Sequence, residues 1–217
     1  MSQYKLVIFD LDGTILDTTE GILLAVEHTI KKCQLPDLPY DTLLSFIGPP
    51  IQTSFKKIYG LPDEKVQEMA VEFRECYSNS DNLFKAIPYE GIYELFTFLK
   101  EHGFKIAVAT YKREDYALCL LNKFHFDDYT DIMFGGDNEN KLKKKDIILK
   151  CLEKAGVDTP ADALMIGDTE HDANGAKELG MDFVAVTYGF GYHPDTPFEI
   201  GSGIKKADKP LDIINCL

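Results

Sequence analysis

Residues 4–17 read YKLVIFDLDGTILD and join a short apolar run to two closely spaced acids. The run at 4–9 is mostly apolar and partly β-branched, which predicts a buried β-strand. Asp10 and Asp12 follow at i and i+2, so on an extended backbone their side chains face the same side. Ligands of open parallel α/β sheets bind beyond the carboxyl ends of the strands. Two carboxylates there predict a site for a divalent cation that prefers oxygen, most simply Mg²⁺.

The residues after these acids extend the pattern. Gly13 lets the backbone approach a bound anion closely, and Thr14 adds a hydroxyl. Asp-x-Asp-Gly by itself is also typical of a turn with solvated acids. In full, FDLDGTILD resembles the first motif of the haloacid dehalogenase-like (HAD) phosphohydrolases. The resemblance implies that Asp10 is a nucleophile that becomes an aspartyl phosphate and that Asp12 is the general acid/base.

The composition excludes several classes of protein. The formal net charge is −13, with 36 acidic against 23 basic residues among 217, and such a field repels nucleic acids. The sequence has no apolar stretch long enough to cross a bilayer, and we expect neither a signal peptide nor a membrane partner. Five scattered cysteines are typical of reduced thiols. We therefore expect a cytoplasmic protein, a monomer or weak homodimer, that binds a small molecule.

A block of predicted helices follows the first strand. Residues 16–82 contain several amphipathic helical patterns and no convincing strand. Loops within α/β units are usually about 2–6 residues long, so a helical block of this length predicts an inserted domain. We expect a core domain of residues 1–15 and 83–217 with a helical cap domain of residues 16–82. Many HAD phosphatases carry a helical cap inserted at this point.

Strands and helices alternate regularly in the rest of the chain, which predicts a doubly wound parallel α/β sheet. The predicted strands lie at 104–109, 132–134, 163–166 and 183–186. The predicted helices lie at 93–102, 113–124, 144–155 and 173–179.

Two segments resemble the phosphate-binding motifs of HAD phosphatases. The end of the strand AVAT at 107–110 resembles the second motif, which implies that Thr110 and the backbone of Tyr111 bind the phosphoryl group together with Gly13. The basic run KLKKKD at 141–146 resembles the third motif. The family spacing, two residues before the acid, implies that Lys144 holds the phosphate, while the other lysines are expected on a solvated surface.

The segment GDTEHD at 167–172 resembles the fourth motif, Gly-Asp-x-x-x-Asp. The resemblance implies that Asp168 binds Mg²⁺ with the side chain of Asp10 and the backbone carbonyl of Asp12. Asp172 either binds the ion or orients a bound water. These acids repeat, at the end of a second apolar strand, the arrangement found after the first.

Within the predicted cap, FIGPPIQTSF at 46–55 resembles a segment of phosphoglycolate phosphatase-like and 5′-nucleotidase-like members of the family. It implies that Gly48, Pro49 and Gln52 help to select the substrate. Gly-Pro-Pro by itself only stops a helix. The whole resemblance spans residues 4–192.

These motifs predict a Mg²⁺-dependent phosphatase that hydrolyses a small phosphate monoester through an aspartyl phosphate, similar to phosphoglycolate phosphatase. A 5′-nucleotidase and a β-phosphoglucomutase-like phosphomutase are alternatives with the same four motifs. We favour hydrolysis over a mutase because the predicted cap offers few cations for a second phosphate. A receiver-like phospho-acceptor module is the non-enzymatic alternative, but such modules are usually shorter and have no inserted cap.

Overall fold

The computed structural model describes residues 4–79, 81–139, 141–198 and 204–217. The chain forms two compact units. One unit combines Met1–Asp17 with Pro88–Leu217, and the other is Thr18–Ile87. The second unit contains most of the helical block at 16–82, and the division into a core domain and a cap domain stays a prediction.

Strands and helices alternate along the larger unit, and helices fill most of the inserted one. The strands of the described residues are β1 (Leu6–Phe9), β2 (Leu16–Asp17), β3 (Ile87–Pro88), β4 (Lys105–Arg113), β5 (Met133–Gly136), β6 (Ala163–Gly167), β7 (Asp182–Val186) and β8 (Lys205–Ala207). The α-helices are α1 (Thr19–Lys32), α2 (Tyr40–Leu44), α3 (Ile51–Tyr59), α4 (Asp63–Asn79), α5 (Ile92–Glu101), α6 (Glu114–Lys123), α7 (Lys144–Ala155) and α8 (Glu170–Glu178). Short 3-10 helices lie at Asn82–Phe84, Phe126–Asp128, Pro160–Asp162 and Pro210–Cys216.

Six of the described strands form one sheet in the order β5-β4-β1-β6-β7-β8, and every neighbouring pair in it is parallel. This confirms the predicted doubly wound α/β fold. The strand β8 was not predicted from the sequence.

The central strand β1 is buried on both faces. Leu6 and Ile8 lie in a core that includes Ile148 of α7, whereas the ring of Phe9 packs 4.8 Å from that of Phe96 in α5. Successive side chains of a strand point to opposite faces, so a strand between two helical layers must be apolar at every position. This explains the unbroken apolar run ahead of the two acids.

The register of the sheet brings the predicted motifs to one edge. Phe9 lies opposite Val108 of β4 and Ile166 of β6, and the Asp10 N–H donates to the Ile166 carbonyl at 2.9 Å. The polar residues that follow these strands therefore emerge side by side, since all three strands run in the same direction.

The strand β4 is longer than the sequence predicted. The prediction ended it at Thr110, but it continues to Arg113, which pairs with Gly136 of β5. Its last residues are polar and carry no apolar alternation, so the pattern gave no sign of the extension. As a result, Thr110 and Lys112 occupy alternate positions of one strand.

The inserted unit Thr18–Ile87 has its own apolar core. The buried residues of α1 recur at helical spacing, with Ile22, Val26 and Ile30 on one face. The rings of Phe46 and Phe55 contact each other edge to face, with centroids 5.0 Å apart. Among the described residues of the chain, none of the helices is both long and apolar enough to cross a membrane.

Candidate active site

Three buried carboxylates form a cluster at the carboxyl edge of the sheet. Asp10 follows β1, Asp168 follows β6, and Asp172 lies in the first turn of α8. The exposed fraction is 4% for Asp10 and 0% for the other two. Each offers an oxygen, and these oxygens lie within 4.8 Å of one another. Such an all-oxygen set suits a hard divalent cation.

A single lysine joins two of these carboxylates. The ammonium of Lys144 lies 2.6 Å from Asp10 Oδ1 and 2.5 Å from Asp172 Oδ1, and its side chain is 3% exposed. Its neighbours in the basic run lie elsewhere: Lys141 pairs with Glu139 and Lys145 with Glu178, both at the surface. Of the lysines described in this run, Lys144 is the one that reaches Asp10, and its phosphate-binding role stays a prediction.

The cluster carries more negative charge than Lys144 can balance. Burial raises the pKa of Asp10 to about 7, although Lys144 opposes the shift, and burial also raises the pKa of Asp168 well above its ordinary value. Burial alone would lower the pKa of Lys144, but the Asp10 and Asp172 carboxylates outweigh it and raise that pKa. Each shift has the direction expected when three carboxylates share one ammonium away from water.

Asp172 has one satisfied oxygen and one that is incompletely satisfied. Its Oδ2 accepts hydrogen bonds from the Thr169 N–H at 3.1 Å and the Thr169 hydroxyl at 2.7 Å, which cap the start of α8. Its buried Oδ1 lies 2.5 Å from the Lys144 ammonium and has no other donor among the described residues. Such an oxygen is costly unless a cation or another donor completes its contacts.

Backbone groups fix the orientation of Asp168. Its Oδ2 accepts from the Phe190 N–H at 2.7 Å and the Gly191 N–H at 3.4 Å. Gly13 has a φ of +80°, and a Cβ there would collide with the Asp168 carboxylate and the Phe190 ring. Position 13 therefore requires glycine for both its conformation and its space.

Asp12 lies outside the three-carboxylate cluster. Its Oδ1 is 3.0 Å from the ammonium of Lys112, and both side chains are 6% exposed. Lys112 was not predicted as a site residue, because the predicted strand ended before it. One signal was present in the sequence: Lys112 stands at i+2 from Thr110, the same spacing that links Asp10 and Asp12.

Thr110 and Tyr111 lie on β4 beside this pair. Thr110 is 1% exposed, and its Oγ1 accepts from the Lys112 N–H at 3.1 Å. The Tyr111 hydroxyl accepts from the backbone N–H of Lys144 at 2.9 Å, and its ring contacts that of His171 edge to face. The side chain of Tyr111 therefore holds the first residue of α7, a contact that sequence reasoning did not foresee. The phosphate-binding roles of both residues stay predictions.

The residues predicted to select the substrate belong to the inserted unit. Gly48 has a φ of +97° and precedes α3 together with Pro49. Gln52 lies in α3 and is 8% exposed. Their role in substrate choice stays a prediction.

The chain is similar to known proteins over most of its length. The family model described as haloacid dehalogenase-like hydrolase matches residues 7–186. The pyrophosphatase PpaX of Halalkalibacterium halodurans is 33% identical over 184 residues, which are 84% of this chain and 83% of the relative. A 5′-nucleotidase of Pseudomonas aeruginosa is 31% identical over 190 residues, 87% of this chain and 85% of the relative.

Two further proteins extend the comparison. A phosphoglycolate phosphatase of Aquifex aeolicus is 31% identical over 187 residues, 86% of each chain. A solved structure of a haloacid dehalogenase-like family hydrolase from Streptococcus pneumoniae superposes with a TM-score of 0.88 at 28% identity, covering 100% of this chain and 99% of that one. The likeness therefore extends over the inserted unit as well as the sheet.

Proposed function

This chain belongs to the haloacid dehalogenase-like hydrolase family and is a phosphatase, and we propose that it hydrolyses a small phosphate monoester through an aspartyl phosphate, an acyl phosphate formed on Asp10. One observation carries the proposal. Asp10 is a buried carboxylate that directly follows the central strand and lies 2.6 Å from the ammonium of Lys144. A nucleophile in this position has a cation beside it to offset its repulsion from a phosphate dianion.

In the first step an Asp10 oxygen attacks phosphorus in line with the leaving oxygen. The new bond from Asp10 to phosphorus forms as the bond from phosphorus to the leaving group breaks. The Asp12 carboxyl group donates its proton to the departing alkoxide, which leaves as an alcohol. The products of this step are phospho-Asp10 and an ionised Asp12.

In the second step water attacks the phosphorus of phospho-Asp10. The Asp12 carboxylate takes a proton from this water, and the bond between phosphorus and Asp10 breaks. Inorganic phosphate leaves, Asp10 returns as a carboxylate, and Asp12 is protonated again. The two steps together consume one ester and one water.

The phosphoryl oxygens need donors that stay in place during both steps. We assign this role to the Lys144 ammonium, the Thr110 hydroxyl and the backbone N–H groups of Gly13 and Tyr111. Support comes from the burial of Lys144 and Thr110 beside the carboxyl end of β1. Fixed donors in a site of low dielectric stabilise transferred charge without reorganisation.

The donor set also fits a magnesium ion. Asp10, Asp168 and Asp172 would hold it with their side chains, and Asp12 would add its backbone carbonyl. The fit rests on three oxygens within 4.8 Å, on the excess negative charge and on the incompletely satisfied Asp172 Oδ1. When bound, Mg²⁺ would neutralise the repulsion between these carboxylates and the phosphate.

The substrate class is proposed from the relatives. A pyrophosphatase, a 5′-nucleotidase and a phosphoglycolate phosphatase match this chain at 31–33% identity, so identity does not rank them. We favour a small monoester such as phosphoglycolate and keep a nucleoside monophosphate as the second candidate. The segment at 46–55 supports both, since it resembles both kinds of relative. The cytoplasmic location and the monomeric or weakly dimeric state stay predictions.

A panel of phosphate compounds tests the proposal. The panel contains 2-phosphoglycolate, nucleoside 5′-monophosphates, pyrophosphate, β-glucose 1-phosphate with a trace of its 1,6-bisphosphate, and p-nitrophenyl phosphate, each with Mg²⁺. We expect free phosphate from a small monoester at the highest kcat/KM, and no turnover by Asp10→Asn. Formation of glucose 6-phosphate far faster than free phosphate would replace the phosphatase with a mutase. A phosphoprotein that persists for hours without turnover would favour the signalling module.

A further inference from the structure

A second buried ion pair lies beside the three-carboxylate cluster. Lys112 Nζ is 3.0 Å from Asp12 Oδ1, and each side chain is 6% exposed. The four motifs assign roles to Asp12, Thr110 and Lys144 but none to Lys112. A buried cation next to the acid/base therefore needs an explanation of its own.

Stability alone is a poor explanation for this pair. Burying two opposite charges carries a desolvation cost that is often as large as the energy of their attraction. Replacing such a pair with apolar residues is often neutral or stabilising. What the pair does provide is geometry, because the ammonium holds one carboxylate oxygen in a fixed place. An acid/base must lie within hydrogen-bond reach of the proton that it moves.

The backbone around Lys112 is itself fixed. Its N–H donates to Thr110 Oγ1 at 3.1 Å, and the next residue, Arg113, pairs with Gly136 of β5. The extension of β4 carries Lys112 to Asp12 through an irregular stretch of the strand, because the pairing with β5 shifts register between Ala109 and Arg113. Sites built on strands hold their side chains more precisely than sites on loops.

We propose that Lys112 is a positioning residue that holds the ionised Asp12 carboxylate for the step in which water hydrolyses phospho-Asp10. The inference rests on the proposed function, because it needs phospho-Asp10 and Asp12 as the base. The 3.0 Å contact between Lys112 Nζ and Asp12 Oδ1 suits the carboxylate form of Asp12, which is the form that takes a proton from water in the second step. Lys112 acts through Asp12 and moves no proton itself.

Rapid-quench kinetics with p-nitrophenyl phosphate and Mg²⁺ separate the two steps. The nitrophenolate is a good leaving group that needs little help from an acid, so its first release reports attack by Asp10, and the later steady rate reports hydrolysis of phospho-Asp10. For Lys112→Met we expect a burst whose rate changes less than about threefold and a steady rate that falls about 100-fold. Phospho-Asp10 should then accumulate on the variant.

Three control variants accompany Lys112→Met. Lys145→Met removes a lysine that also pairs with an acid, Glu178 at 2.7 Å, but at the surface, and it should keep both rates. Lys112→Arg keeps the cation and should recover part of the steady rate. In an Asp12→Asn background, Lys112→Met should cause almost no further loss, since a residue that acts only through Asp12 has nothing left to position.

Each other result has a definite meaning. A burst that slows as much as the steady rate would overturn the inference. A full further loss of the steady rate from Lys112→Met in the Asp12→Asn background would also overturn it. In either case Lys112 would act on the phosphate or on the fold. An unchanged steady rate would also overturn it. Nitrophenol release by Asp10→Asn at the wild-type rate would instead refute the proposed function.

Discussion

The ammonium of Lys144 lies 2.6 Å from Asp10 Oδ1, although 134 residues separate the two in the chain. The sheet makes this contact possible, since Asp10 leaves β1 at the carboxyl edge where α7 begins. The same ammonium reaches Asp172 at 2.5 Å and so joins the end of β1 to the first turn of α8 through one charge. We infer that this residue holds the nucleophile and its neighbouring acid in one arrangement.

Lys144→Ala should lower kcat/KM by about 100- to 1000-fold, as expected when one preorganised donor to transferred charge is lost. The variant also leaves the Asp10 and Asp172 carboxylates without their cation. Lys143→Ala and Lys145→Ala are matched controls from the same run and should stay near wild type. If one of those variants lost activity while Lys144→Ala kept it, the assignment of the third motif would be wrong. Steady-state kinetics on the preferred ester decide between these outcomes.

Tyr111→Phe should lower the free energy of unfolding by about 1 kcal/mol, because it removes the hydroxyl that accepts from the Lys144 N–H. Activity should fall as well, since α7 would begin with a less firmly held Lys144. Tyr40→Phe is the control, because Tyr40 is 60% exposed on the helical unit. Urea unfolding measures the free energy of unfolding of each variant relative to the wild type. Equal stability of the two variants would show that the Tyr111 hydroxyl does not fix the start of α7.

Without divalent cations the protein should lose stability as the pH rises. Burial raises the pKa of Asp10 from 3.8 to about 7, so between these values the folded protein binds more protons than the unfolded chain. The free energy of unfolding then falls with rising pH through that window. Mg²⁺ binds the ionised carboxylates and should raise Tm more at about pH 8 than at about pH 5.

Calorimetry in EDTA and in Mg²⁺ over this pH range checks the prediction. Asp168→Asn serves as the matched variant, because burial also raises the pKa of Asp168. Removing this carboxyl group should flatten the pH dependence of the free energy of unfolding in EDTA. A stability that rises with pH in EDTA by the same amount in both proteins would contradict this account of the cluster.

Gln52→Ala should change the preference among natural esters and affect p-nitrophenyl phosphate less. The proposed reason is that the segment at 46–55 contributes to substrate choice, whereas an activated aryl ester depends mainly on the phosphate site. Lys57→Ala, an exposed change in the same helix α3, is the control. Equal losses on every substrate, together with a lower Tm, would show that buried Gln52 is structural.

The sequence predicted best where an apolar strand leads directly into polar residues of a motif. Asp10 and Asp168 follow β1 and β6 as expected, because an unbroken apolar run marks a central strand and fixes where it ends. The end of β4 was mispredicted for the opposite reason. Arg113 at the end of the strand pairs with Gly136 of β5 after an irregular stretch, and a pairing partner leaves no trace in local periodicity.

Contacts between side chains that are distant in the sequence were harder to predict than the placement of residues at the ends of strands. The family spacing identified Lys144, but no local pattern indicates that the Tyr111 hydroxyl binds its backbone. Lys112 could have been found by applying the i, i+2 rule to Thr110, provided that the strand had been extended. The sequence did not indicate the length of β4. The contact between Lys112 and Asp12 depends on that length and was therefore not predicted.

Phosphorylation of Asp10 is the central claim, and trapping it is the most direct test. The enzyme is quenched with acid during turnover of its preferred ester in Mg²⁺, and the peptide that contains Asp10 is analysed by mass spectrometry. The account predicts a phosphoryl group on Asp10 that is absent from Asp10→Asn, a variant that should be inactive yet folded because it keeps the size of the side chain and relieves excess negative charge. Phosphate release by Asp10→Asn at the wild-type rate, or a phosphoryl group on a different residue, would contradict it.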